Sequence, residues 1–166
     1  MSATLKTVLI VTGCALLASL LYTKLPLETM SGKAPTPPTP SFARESGVAS
    51  TTVRINGQTL RVDVADTPKE REQGLGGRHG LAEDEGMLFV FQTDGRWGFW
   101  MKDMLFSIDI VWLSGEGKVV DTIKNVAPDT YPAYSFLPNV PARYVLELPA
   151  GLVTRYNVQI GDSVKF

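Results

Sequence analysis

The sequence predicts a mainly-β protein: a single compact barrel- or sandwich-like domain with one or two short helices, preceded by an N-terminal membrane helix and a Pro-rich linker. Three observations carry this expectation. Short apolar or alternating runs recur from Val53 to Phe166 between Gly-, Asn- and Pro-containing turns, with no βαβ alternation. Asn56-Gly57 stands between two alternating runs, a strong hairpin signal because both residues tolerate positive φ. Thr7 to Thr23 is a run of 17 residues without a charge, and five of the eleven prolines follow it between Pro26 and Pro40. The implied boundaries are 1–25 for the membrane segment, 26–50 for the linker and 51–166 for the β domain.

The N-terminal run spans ~25 Å as a helix, slightly short of a bilayer core, and Lys6 and Lys24 can snorkel at its ends. Three fates are open to it. A retained signal anchor is favoured; cleavage lacks a clear Ala-x-Ala site; lipidation at Cys14 rests on a poor lipobox, Val11-Thr12-Gly13-Cys14. An export-type start followed by a long domain places that domain outside the cytoplasm, periplasmic or at the cell surface, on a single-pass anchor. The Pro35 to Pro40 stretch reads as a polyproline II spacer.

Within the domain, Val53-x-Ile55 and Leu60-x-Val62-x-Val64 form the first hairpin. Thr67-Pro68-Lys69-Glu70 is a helix start with a capping box, and Gly74 ends that helix. Met87 to Phe91 is a buried strand. Ser107 to Leu113 and Lys118 to Ile123 make a second hairpin across Ser114-Gly115-Glu116-Gly117. Residues 125–141 hold four prolines and read as a long irregular loop. Tyr144 to Leu148 is a strand, and Gly161-Asp162 turns the chain into a last one, Ser163 to Phe166.

Charge excludes one class of partner. Residues 1–46 carry a balance of +2, and residues 47–166, with 12 bases and 15 acids, a balance of −3. That domain lacks the positive field that nucleic-acid binding needs. One cysteine and one histidine, His79, cannot assemble a zinc site of the Cys/His type, and no cofactor motif is present.

The polar residues of interest sit among apolar ones. Read as a strand, 104–112 puts Met104, Phe106, Ile108, Ile110 and Trp112 on one face and Asp103, Leu105, Ser107, Asp109 and Val111 on the other. Asp109 and Glu147 therefore need partners, for which Arg71, Lys102 and backbone N–H groups are candidates. Either these groups are structural, or Arg71, Lys102, Asp109 and Glu147 converge on a pocket rimmed by Phe99 and Trp100. Phe99 and Trp100, adjacent in a strand, would face opposite ways. Three roles follow: a module binding a small polar ligand or an envelope partner, a purely structural or assembly domain, or a polysaccharide hydrolase using Asp109 with Glu147 or Asp103 as acid and base. Binding is favoured, because no nucleophile–base pair or metal set stands out.

The ordered segments Gly86-Met87-Leu88-Phe89-Val90-Phe91, Phe99-Trp100-Met101-Lys102, Asp109-Ile110-Val111, Val145-Leu146-Glu147-Leu148-Pro149-Ala150-Gly151 and Gly161-Asp162 resemble the bacterial and archaeal domain-of-unknown-function family 192 over residues 51–166. Glu70, Arg71, Gly74, Leu75 and Arg78 match its helical segment. The resemblance implies a compact β-rich domain, often exported, with no assigned reaction. The chain departs from the family pattern at Gly76, where Met is usual, and at Asp103-Met104, where Asn-Thr is usual.

Overall fold

The computed structural model describes residues 49–166; the expected membrane segment and most of the linker lie outside them. No helix among the described residues is long and apolar enough to cross a membrane. Seven strands, β1 (Ser50–Ile55), β2 (Gln58–Ala65), β3 (Glu85–Gly95), β4 (Ile108–Leu113), β5 (Val119–Val126), β6 (Ala142–Pro149) and β7 (Val164–Lys165), form one sheet in the order β5-β4-β6-β3-β2-β1-β7. Two short helices, α1 (Pro68–Gln73) and α2 (Leu152–Arg155), complete it.

Local chemistry sets the elements. Asn56 and Gly57, at φ 47° and 79°, turn β1 into β2 with Ile55 opposite Gln58. Thr67 caps α1 by accepting from the Glu70 amide at 3.2 Å, and the Glu70 carboxylate accepts from the Thr67 amide at 3.0 Å. Gly74, at φ 50°, ends the helix.

Two features depart from the sequence expectation. The β2–β3 pair is parallel, with α1 in the crossover, whereas all the other pairs are antiparallel. A parallel pair needs a connection of this kind, and a helix of only 6 residues was too short to register as an alternation. Strand β4 begins at Ile108, so Met104 to Ser107 precede it rather than continuing its alternation.

The sheet curls into a half-barrel whose edges are tied together. Lys118, just before β5, bridges Ser163, just before β7, and the Val164 amide donates to the Gly117 carbonyl at 2.8 Å. Alternation along the strands then separates two cores. Val53, Ile55, Leu60, Val62, Leu88, Val111, Leu146 and Leu148 form an aliphatic one with Leu152 and Val153 of α2. Met87, Phe89, Ile108, Ile110, Trp112 and Val145 face the other way and pack with Leu75, Phe99, Met101 and Met104. This second, aromatic-rich face carries the candidate site.

Candidate functional site

The site is a cavity of about 310 Å³ on the aromatic face. The sheet supplies Phe89 and Phe91 of β3 and Glu147 of β6; α1 and the following turn supply Arg71 to Gly76; the loop before β4 supplies Trp97 to Trp100, Lys102 and Met104. Register explains the sheet's contribution. Met87 pairs with Glu147 and Phe89 with Val145, so Glu147 emerges on the same face as the two phenylalanines.

The rings brace one another. Phe89 meets Phe99 edge-on at 4.8 Å between centroids, and Phe99 meets Trp112 edge-on at 6.2 Å. Phe91 and Trp97 stack at 4.2 Å with planes 6° apart. The Arg71 guanidinium lies 5.1 Å from the Phe91 ring centroid. Arg71 also donates to the Asp66 carbonyl and, at 3.0 Å, to the Val90 carbonyl, which fixes it at the cavity wall.

Glu147 is only 5% exposed and, among the described residues, has no hydrogen-bond or ion-pair partner. Burial pushes its carboxyl up to about 8, with Arg78 pulling weakly the other way. Arg78 is engaged elsewhere, with Asp63 at 2.8 Å. Glu147 is therefore mostly a neutral acid at pH 7, able to donate one hydrogen bond into the cavity. The Trp97 indole Nε1 is also buried and, among the described residues, without a hydrogen-bond partner.

The structure brings Arg71, Phe99, Trp100, Lys102 and Glu147 of the sequence candidates to this cavity; Asp103 and Asp109 do not line it. Asp109 is fully buried in the sheet, where its two carboxylate oxygens accept from the Asn125 and Val153 amides, each at 2.8 Å. It pairs with Leu148 while Glu147 pairs with Ile110, so the two carboxyls point to opposite faces. They cannot flank one glycosidic bond. Both Phe99 and Trp100 line the cavity, contrary to the strand rule, because the chain there is a loop with a single bridge, Phe99 to Phe136. Trp100 is 54% exposed and forms the rim. His79 is exposed in the loop after Gly77.

Trp97, Phe89, Phe91 and Glu72 are lining residues that sequence reasoning did not select as site candidates. The odd-numbered positions of Met87-Leu88-Phe89-Val90-Phe91 held a usable signal, since those side chains share a face. Gly76 and Asp103, two departures from the family pattern, sit together at the cavity edge. The Gly77 amide donates to the Asp103 carbonyl at 2.8 Å, and a Cβ on Gly76 would stand 3.4 Å from the Asp103 Cβ. Asp103 adopts φ 58°, a conformation Asp and Asn both tolerate, so the exchange leaves the turn intact.

Comparison with known proteins agrees with this architecture. A UPF0127 protein of Thermococcus sibiricus is 31% identical over 108 residues, covering 64% of this chain and 66% of its own length, just under two thirds. A UPF0127 protein of Pyrococcus abyssi is 30% identical over 111 residues, covering 64% and 86%. A solved structure from Sinorhizobium meliloti, described as a candidate transcription regulator, superposes with a TM-score of 0.68 at 34% identity, covering 74% of this chain and 97% of that one. A protein of unknown function from Novosphingobium aromaticivorans gives 0.69 at 27% identity, covering 76% and 94%. The family model described as "Uncharacterized ACR" matches residues 51–166, and the chain belongs to this family, DUF192.

Proposed function

We propose that the domain is a binding module for a small ligand with a ring-shaped body and polar substituents, held outside the cytoplasm by the N-terminal membrane segment. The observation that carries this reading is Glu147, an unpartnered buried carboxyl opening into an aromatic-walled cavity. A polar group costs free energy in such a place unless something bonds to it, and a ligand can supply that bond. The cavity volume, about 310 Å³, lies at the small end of ligand sites. The Sinorhizobium relative's description is not extended to this chain, because residues 47–166 carry a net −3 and offer no positive field for DNA.

The test is a thermal-shift screen of the full chain against cyclic alcohols, sugars, ring acids and ring amines, repeated with Trp100→Ala and Lys102→Ala. A ligand at a hundred times its Kd should stabilise by ~2.7 kcal/mol, a rise of a few degrees, in the wild type and less in both variants. No shift with any compound, or equal shifts in all three proteins, would overturn the reading. For the address, a C-terminal alkaline phosphatase fusion should be active and should sediment with membranes; an inactive or freely soluble fusion contradicts it.

A further inference from the structure

The charge of the ligand can be read from the cavity, and this deepens the binding proposal and rests on it. Two cations reach the cavity, Arg71 from α1 and Lys102 from the loop before β4. Neither has a carboxylate partner among the described residues, whose ion pairs are Arg61–Glu85, Arg78–Asp63, Arg143–Asp94 and Arg155–Glu83. The lining carboxyls are Glu72, exposed to solvent at the rim, and Glu147 at the floor. A positively charged ring would face two uncompensated cations; a negatively charged one would complement them.

We infer that the cavity takes a cyclic monocarboxylate, its ring against Phe89, Phe99 and Trp100, its charge toward Lys102, and one of its oxygens accepting a hydrogen bond from the Glu147 carboxyl. The groups facing Glu147 allow this bond. On the sheet its neighbours are Met87 and Ile110, both apolar. From the loop after α1, Arg78 acts on it at a distance while held by Asp63 of β2. Across the cavity stand Arg71, Glu72 and Lys102. No contact among the described residues holds it ionised, and burial favours its neutral form. An anionic ligand favours that form further, since two negative carboxylates in one apolar cavity repel. Binding above the carboxyl's titration point then requires uptake of a proton.

The test uses tryptophan fluorescence titration of the full chain with three probes of one shape: benzoate, benzamide and benzylamine. At pH 6.5 benzoate should bind at least tenfold more tightly than the other two. Between pH 6.5 and 9.5 its affinity should fall by ten- to thirtyfold, while Glu147→Gln, which keeps a neutral donor, should show little change. Lys102→Ala, at an exposed position, should weaken benzoate about tenfold and benzamide by much less. Benzamide or benzylamine binding as well as benzoate, or a flat pH profile for the wild type, overturns the anion assignment and leaves the binding module standing. Silence from all three probes, with no hit in the wider screen, removes both.

Discussion

At Glu147 burial opposes ionisation, and the consequence is a pH-dependent stability. The folded state holds a proton up to about pH 8, whereas the unfolded chain releases it near 4.5. Between those values the unfolded state binds fewer protons, so stability falls as pH rises through this window and levels off above it. The full effect is roughly 5 kcal/mol. Urea denaturation from pH 5 to 8.5 should show this decline in the wild type and a much shallower one in Glu147→Gln; identical slopes would show that the carboxyl is ionised in the fold. Asp109 is placed differently, its two carboxyl oxygens satisfied by amides from different elements. Asp109→Ala leaves the Asn125 amide and the buried Val153 amide without their acceptor and should cost about 3 kcal/mol in the same measurement, with cavity binding preserved in the surviving folded protein. The sequence marked both as carboxyls in apolar runs. It could not say which met backbone donors and which met a cavity, because the deciding neighbours lie in other strands and loops.

Among the elements, α1 and β3 position the site. The capping box that orients α1 was legible, since Thr67, Pro68 and Glu70 act within one turn. Thr67→Ala should cost about 1 kcal/mol by thermal denaturation and should weaken ligand binding, because Arg71 sits on that helix. On β3, Gly86 lets the strand approach β6 closely. A Cβ there would stand 2.7 Å from the Glu147 carbonyl and 3.2 Å from Val62 Cγ1. Gly86→Ala should destabilise by about 2 kcal/mol and displace the backbone that aims Glu147 into the cavity. A neutral outcome would mean that the two strands separate freely. All seven strands could be read from apolar runs, alternation and turns, and so could the β1–β2 and β4–β5 hairpin pairings, but not the neighbours that join these pieces across the sheet. The parallel β2–β3 pairing is a tertiary choice that no short segment encodes, and α2, at 4 residues, is too short for a periodic signal.

In the molecule as a whole, one sheet supports two cores, an aliphatic one and an aromatic-rich one. Family membership was carried by short segments scattered from Glu70 to Asp162, and the structure explains their spacing: β3, the 97–104 loop and β6 converge on one face. The edge tie between Lys118 and Ser163 keeps the curl closed. Deleting residues 161–166 should lower stability by at least about 2 kcal/mol and speed amide hydrogen exchange first in β1 and β5; uniform protection would show that the tie is dispensable. The Glu147 carboxyl is a neutral acid open to an aromatic cavity, and carboxyl-carbon NMR of the glutamate-labelled chain, with the Glu147 signal assigned by Glu147→Gln, measures that directly. The expected result is a midpoint near pH 8 that moves higher when benzoate is added. A midpoint near 4.5, unmoved by any ring compound, would contradict it.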